Sequence, residues 1–213
     1  MTIGHLTPLT ELERDALGEV SNIAMARAAN SLRQMVEHEV LLSVPAVEIL
    51  SQDEAAQLVA KPDNPNLVAV RQDFSGAFAG RALLIFPEAN SLQLVRAVTQ
   101  GELSPEEVIE IEREALVETG NVILNSCLAT MSNLLKSSLS MTIPELLRGS
   151  GAMLFEVDET SPSDGLVLFL YIDFAVRRLD IRGYIAMIMD LPALETLRAL
   201  LDDFIARVVG DDA

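Results

Sequence analysis

The chain has 213 residues, half of them hydrophobic, with 32 acidic against 15 basic side chains and a formal net charge of −17. That surplus repels phosphate backbones and anionic lipid, so nucleic acid and membrane surfaces are poor partners and a basic protein surface is a better one. One cysteine, Cys127, excludes an internal disulfide and fits a reducing compartment, and two histidines, His5 and His38, cannot build the usual zinc shells.

The opening segment MTIGHLTPLT has neither a basic start nor an apolar core, so no signal peptide is expected. A first long helix is predicted from about Thr10 to Glu39, with Thr10 and Glu13 as a capping box. Pro45 then interrupts the β-branched run VLLSVPAVEIL, and a Pro- and Asn-rich loop follows from Lys61 to Asn66. The strand-like runs NLVAVRQDF and AFAGRALLIF are separated by Ser75-Gly76, a hairpin signal, and a short helix from about Ala89 to Thr99 closes this half. The second half opens on Ser104-Pro105-Glu106-Glu107, with an N-cap serine, proline in the first turn and glutamate at the third position. That helix is predicted to reach about Leu139, and Pro144 follows it. Strand-like runs AMLFEVD, GLVLFLYIDF and IRGYIAMIMD come next, with an exposed turn at SPSDG, and an amphipathic helix covers Pro192 to Val209. Apolar runs such as 166–172 are too short to insert into a bilayer, and a cytoplasmic location is expected.

The stretch ERDALGEVSN, 13–22, returns as EREALVETGN, 112–121, at an offset of 99 residues that also relates Pro45 to Pro144. Each half reads as long helix, three strands, short helix. The expected architecture is a single α/β (α+β) domain over 1–213, made of two repeats at about 10–101 and 104–209. An approximate two-fold axis would relate them, with one six-stranded, largely antiparallel sheet carrying two long surface helices.

At about 100° per residue, Asp15, Glu19 and Asn22 fall on one stripe of the first helix, continued by Ala26, Ala29 and Arg33. Leu17, Val20, Ala24, Met25, Leu32 and Met35 form the opposite, apolar arc. Glu114, Glu118 and Asn121 fall on the matching stripe of the second helix, continued by Asn125, Ser132 and Lys136, opposite Leu116, Ile123, Leu124, Cys127 and Leu134. A polar stripe opposite a core is the ordinary solvent face of a surface helix. Identity of Glu19 with Glu118 and of Asn22 with Asn121 is less ordinary, because mid-helix asparagine competes for backbone hydrogen bonds and costs helix stability.

These residues resemble the CheC-type chemotaxis phosphatases, the family of CheC, CheX and FliY. Its mark is Asp or Ser, Glu four positions on, Asn three further, and Pro 23 positions after the Asn. Asp15, Glu19, Asn22 and Pro45 match fully. Glu118, Asn121 and Pro144 match in the second copy, where Glu114 replaces the Asp or Ser. The family's Gly before the Asn is present as Gly120 and replaced by Ser21 in the first copy. The resemblance covers nearly the whole chain and implies a substrate: a phosphorylated CheY-like receiver, with its phosphoryl group on an aspartate beside Mg²⁺. It also extends the expected partners to a CheD-like deamidase, and the protein needs no cofactor of its own.

Hydrolysis of an acyl phosphate needs one water held in line. A neutral amide can donate to that water and accept from it without repelling the phosphoryl group, as a glutamine does in small GTPases. Asn22 and Asn121 are assigned that role by this physics and by resemblance. Glu19 and Glu118, one turn earlier, are expected to pair with the receiver's active-site lysine. Asp15, Ala26, Glu114 and Asn125 are expected to face the partner, although alanines there are equally plain helix formers. Glu114 with Glu118 lacks the EXXH partner of a metal carboxylate site, and Cys127 reads as a buried structural thiol. The alternatives are a docking module for a receiver or flagellar-switch component that catalyses little, and an adaptor with ordinary solvent faces.

Overall fold

The computed structural model describes residues 9–36, 39–60, 66–98, 104–157, 166–176 and 179–211. The expectations for residues 1–8, most of the 61–66 loop and the SPSDG turn lie outside them. Two long helices, α1 (Glu11–Val36) and α4 (Pro105–Leu134), dominate the layout. Each begins where its capping box predicts: Glu13 N–H donates to Thr10 Oγ1 at 3.2 Å while Thr10 N–H donates to Glu13 Oε2 at 2.6 Å. The same reciprocal pair joins Ser104 and Glu107. α4 stops five residues short of the predicted end. The chain leaves it through Lys136 at φ 49°, and Ser137 N–H closes back on Ser132 C=O at 2.8 Å.

The remaining elements run β1 (Val40–Ser43), β2 (Val47–Ser51), α2 (Gln52–Val59), β3 (Leu67–Gly76), β4 (Gly80–Pro87) and α3 (Glu88–Val98) before α4. After it come β5 (Leu139–Met141), β6 (Glu145–Gly149), α5 (Gly151–Leu154), β7 (Leu166–Val176), β8 (Leu179–Met189) and α6 (Leu191–Asp211). All pairings are antiparallel. The sheet runs β1-β7-β8-β4-β3-β5, with β2 alongside β1 on β7 and β6 alongside β5 on β3. Among the described residues, eight strands therefore fill six positions, because each edge strand is cut in two at a proline. Pro45 and Pro144 sit on sheet edges, where a missing backbone donor costs no ladder bond.

Two sequence expectations are corrected. AMLFEVD is not a strand: Ser150 Oγ accepts Met153 N–H at 3.3 Å, a helical turn follows, and Leu154 and Phe155 are buried in it. The second half's edge strand is instead 139–149, around Pro144. The 52–59 segment is a helix that mirrors the turn at 151–154. Gln52 Nε2 donates to Phe155 C=O at 2.9 Å and ties the two together.

Alternation along the strands divides the core. Val68, Val70, Leu84, Leu168, Leu170 and Met187 face α1, α3, α4 and α6. Leu67, Ala69, Leu83, Ile85, Val167 and Phe169 face α2 and α5. The predicted apolar arcs of both long helices point into the first layer: Leu17, Val20, Ala24, Met25, Leu32, Leu116, Ile123, Leu124 and Cys127 are buried, and Leu134 packs partly buried against them. Burial pushes the Cys127 thiol up to about 12, so it is an inert core group. Gly76, at φ +147°, ends β3 where a Cβ would collide with Ser138 C=O. Gly120 has a different reason. A Cβ there would lie 2.5 Å from Val70 Cβ, so glycine lets α4 settle on β3. Gly120→Ala gains up to about 1 kcal/mol of helix propensity, yet overpacking of this kind costs about 1–3 kcal/mol. A net fall in the denaturant midpoint is expected, with the slope unchanged.

The first residue of each ten-residue repeat is an anchor between helices. Glu13, only 4% exposed, accepts Arg198 Nε at 2.8 Å and Arg198 Nη2 at 3.1 Å from α6. Glu112 accepts Arg148 Nη2 at 2.7 Å and Ser91 Oγ at 2.7 Å, the latter from α3. Burial disfavours the Glu13 charge, but hydrogen bonds from Arg198 and Thr10 outweigh it and hold the carboxyl below its ordinary value. Glu13 therefore adds stability above the ordinary carboxylate range, near pH 4.3, and loses it as pH falls through its lower folded value. Arg198→Ala should cost about 1.5–3 kcal/mol at pH 7, the scale of a charged hydrogen bond. The gap between variant and wild type should narrow in thermal melts taken toward pH 3.

Candidate functional site

The first stripe stands as the helical wheel predicts. Asp15, Glu19, Asn22 and Ala26 are all exposed on α1, away from the buried arc. Asp15, Glu19 and Asn22 line one side of a groove of about 720 Å³. The other side is the bent edge of the sheet, from Val44 through Pro45 to Leu50. Arg14, repeated as Arg113, reaches the same groove; identity of the two arginines was the available sign of it.

Asn22 is tied to that edge. Val44 N–H, left without a ladder partner where β1 breaks, donates to Asn22 Oδ1 at 3.0 Å, and Asn22 Nδ2 lies 3.5 Å from Val44 C=O. Pro45 has no N–H and needs no partner. The proline of the sequence mark is therefore in register with the asparagine for a physical reason. It ends the ladder where the side-chain amide takes over a buried backbone donor.

The second stripe is built differently. Glu114 and Glu118 are exposed on α4, while Asn121 and Asn125 are half-buried. Asn125 Nδ2 donates to Asn121 Oδ1 at 2.5 Å, and Gln72 Nε2 from β3 donates to Asn125 Oδ1 at 3.0 Å and to Thr142 C=O at 2.8 Å. Ile143, the counterpart of Val44, is 86% exposed, whereas Val44 is 5% exposed. Of the outer stripe positions, Ala29 is half-buried, Arg33 exposed, Ser132 buried, and Lys136 lies beyond the helix. α1 and α4 lie side by side, joined by a long Arg27 Nη1 contact to Thr130 Oγ1 at 3.4 Å. Gln72 and Val44 were not legible as site residues, because neither belongs to a repeated motif.

The arrangement offers four exposed carboxylates, Asp15, Glu19, Glu114 and Glu118, and three amides, Asn22, Asn121 and Asn125, on an adjoining pair of helices. It includes no nucleophile with an adjacent base. Among the described residues, no group of three or more His, Cys, Asp or Glu could hold a metal ion. No helix there is long and apolar enough to cross a membrane.

No protein-family model matches the chain. Two curated relatives do. The flagellar motor switch phosphatase FliY of Bacillus subtilis is 23% identical over 146 residues, 68% of this chain and 38% of that protein. The CheY-P phosphatase CheC of the same organism is 27% identical over 141 residues, covering 65% of this chain and 67% of CheC. The chain is thus similar to members of the CheC/CheX/FliY family. It matches little more than a third of the length of that FliY. The crystal structure of Thermotoga maritima FliY has the same fold, with a TM-score of 0.70 at 20% identity over 92% of this chain and 98% of that one. The FliM middle domain from Helicobacter pylori shares it too, at a TM-score of 0.58 and 8% identity over 90% and 99%. In the fold shared with that FliY structure, Glu19, Asn22 and Glu118 are exposed and Asn121 is half-buried.

Proposed function

We propose that the protein is a phosphatase for the aspartyl phosphate of a CheY-like receiver, acting through Asn22 and Asn121. The observation that carries this reading is the fixed polarity of both amides. Each Oδ1 is held inward by a donor, Val44 N–H in one case and Asn125 Nδ2 in the other; Asn22 Nδ2 gives one N–H to Val44 C=O at 3.5 Å, so each Nδ2 still keeps an N–H for a partner. An amide so placed donates to a water and keeps a second lone pair on Oδ1. It carries no charge to repel the phosphoryl group. Glu19 and Glu118, exposed one turn earlier, fit a role in pairing with a receiver lysine. The Mg²⁺ and the electrophile belong to the receiver, and the protein supplies alignment.

A second reading has one observation in its favour: the FliM middle domain has this fold as well. The protein would then dock a receiver or a flagellar-switch component and catalyse little. A panel of phosphorylated CheY-like receivers, each mixed with excess protein and Mg²⁺, separates the two. Under the phosphatase reading at least one receiver loses phosphate faster than alone. Binding without a change in phosphate lifetime supports the docking reading. Calorimetry of the protein alone with Mg²⁺ is expected to show no tight site.

A further inference from the structure

We propose that Gln72 and Asn125 are positioning residues that orient the Asn121 carboxamide; their link to turnover rests on the phosphatase reading above. The polarity of the relay is set by a group that can act in only one way. Thr142 C=O only accepts, so the end of Gln72 that meets it is Nε2, at 2.8 Å. The same Nε2 lies 3.0 Å from Asn125, which must present Oδ1. Asn125 therefore turns Nδ2 to Asn121, 2.5 Å away, and Asn121 answers with Oδ1. Three amides in series thus carry the direction of one backbone carbonyl out to the helix surface. Asn121 Nδ2 is left facing outward.

Gln72 is 2% exposed, in a sheet layer otherwise filled by Val68, Val70 and Phe74. A buried carboxamide among such residues carries a desolvation cost, and its Oε1 has no hydrogen-bond partner among the described residues. Packing alone does not call for a polar group here, as the other half shows. Val47 pairs with Leu170 and Leu146 pairs with Val70, so the position matching Gln72 is Ile172, which is buried and apolar. The position matching Asn125 is Ala26. The first half dispenses with the relay because Val44 N–H holds Asn22 directly. Among the described residues the second half has no such bond, and its Asn121 Oδ1 is held through side chains instead.

Gln72→Met keeps length and apolar packing but removes both donors, and Asn125→Ala copies the other half. In the full chain labelled with ¹⁵N, each variant should shift the two Asn121 side-chain amide proton signals and speed their exchange with water, while those of Asn22 stay in place. Unmoved Asn121 signals in both folded variants would overturn the relay. In an Asn22→Ala background, each should lower single-turnover kcat on a phosphorylated receiver about 10-fold, the scale for losing a supporting hydrogen bond behind a reacting group, with KM unchanged. A change in KM alone, or no change in kcat, would overturn the positioning role. Were the Asn22→Ala background itself inactive, the phosphatase reading of the second site would fall, and the amide signals would still decide the relay.

Discussion

Asn22→Asp with Asn121→Asp should slow single-turnover phosphate release about 100-fold or more, the scale for losing one donor aimed at a transition state. The aspartates retain an oxygen for Val44 N–H and for Asn125 Nδ2, and of the inward bonds only the long one from Asn22 Nδ2 to Val44 C=O, 3.5 Å, is lost. What changes is the outward end, from a neutral N–H to a charged oxygen that repels the phosphoryl group. Asn22→Ala with Asn121→Ala should slow release to a similar degree, and it adds a structural effect. It leaves the buried Val44 N–H without its partner, a loss of about 1–3 kcal/mol of stability. Receiver affinity should stay nearly intact in the alanine pair, because an interaction made only in the transition state lowers kcat and kcat/KM together. Stopped-flow phosphate release alongside equilibrium binding checks both parts. Wild-type release from the folded double variants would refute the water-alignment role.

Glu19→Lys with Glu118→Lys should act on docking first. Both carboxylates are exposed, so the change does not disturb the core. Replacing attraction toward a receiver lysine by repulsion should cost about 2–5 kcal/mol of binding, or more. The loss should shrink as salt rises, since screening over a length of about 10 Å at 0.1 M weakens exposed charge pairs. Titrations of a receiver at low and high salt provide the check. Affinity unchanged at low salt would remove both glutamates from the interface.

Much of the layout was legible because a ten-residue stretch recurs 99 positions on. The apolar arcs of α1 and α4, both capping boxes and the exposure of Asp15, Glu19, Asn22, Glu114 and Glu118 follow from helical period and from Thr10, Glu13, Ser104 and Glu107, whereas Asn121 and Asn125 are half-buried and Ser132 is buried. The second edge strand was misread because LSMTIPELLRG carries few β-branched residues. Its counterpart VLLSVPAVEIL, 99 positions earlier, was the better guide. The same offset relates Ser51 to Ser150, the N-caps of α2 and α5, and so marked the turn that was taken for a strand. Glu13 and Glu112 show the opposite hazard. Their identity reflects helix anchoring by Arg198 and Arg148, not chemistry. The partners that orient the amides were hidden for another reason. Val44 acts through its backbone, and Gln72 comes from a strand with a different residue at its counterpart, so neither leaves a repeated trace.

The most direct measurement is a structure of the protein bound to a CheY-like receiver loaded with Mg²⁺ and beryllofluoride, a mimic of the acyl phosphate. The expected result places Nδ2 of Asn22 or Asn121 within about 3 Å of the water site in line with the bond from aspartate to the phosphoryl mimic. Glu19 or Glu118 of the same stripe should lie against a receiver lysine. A receiver seated on another face, with both asparagines still open to solvent, would contradict the account.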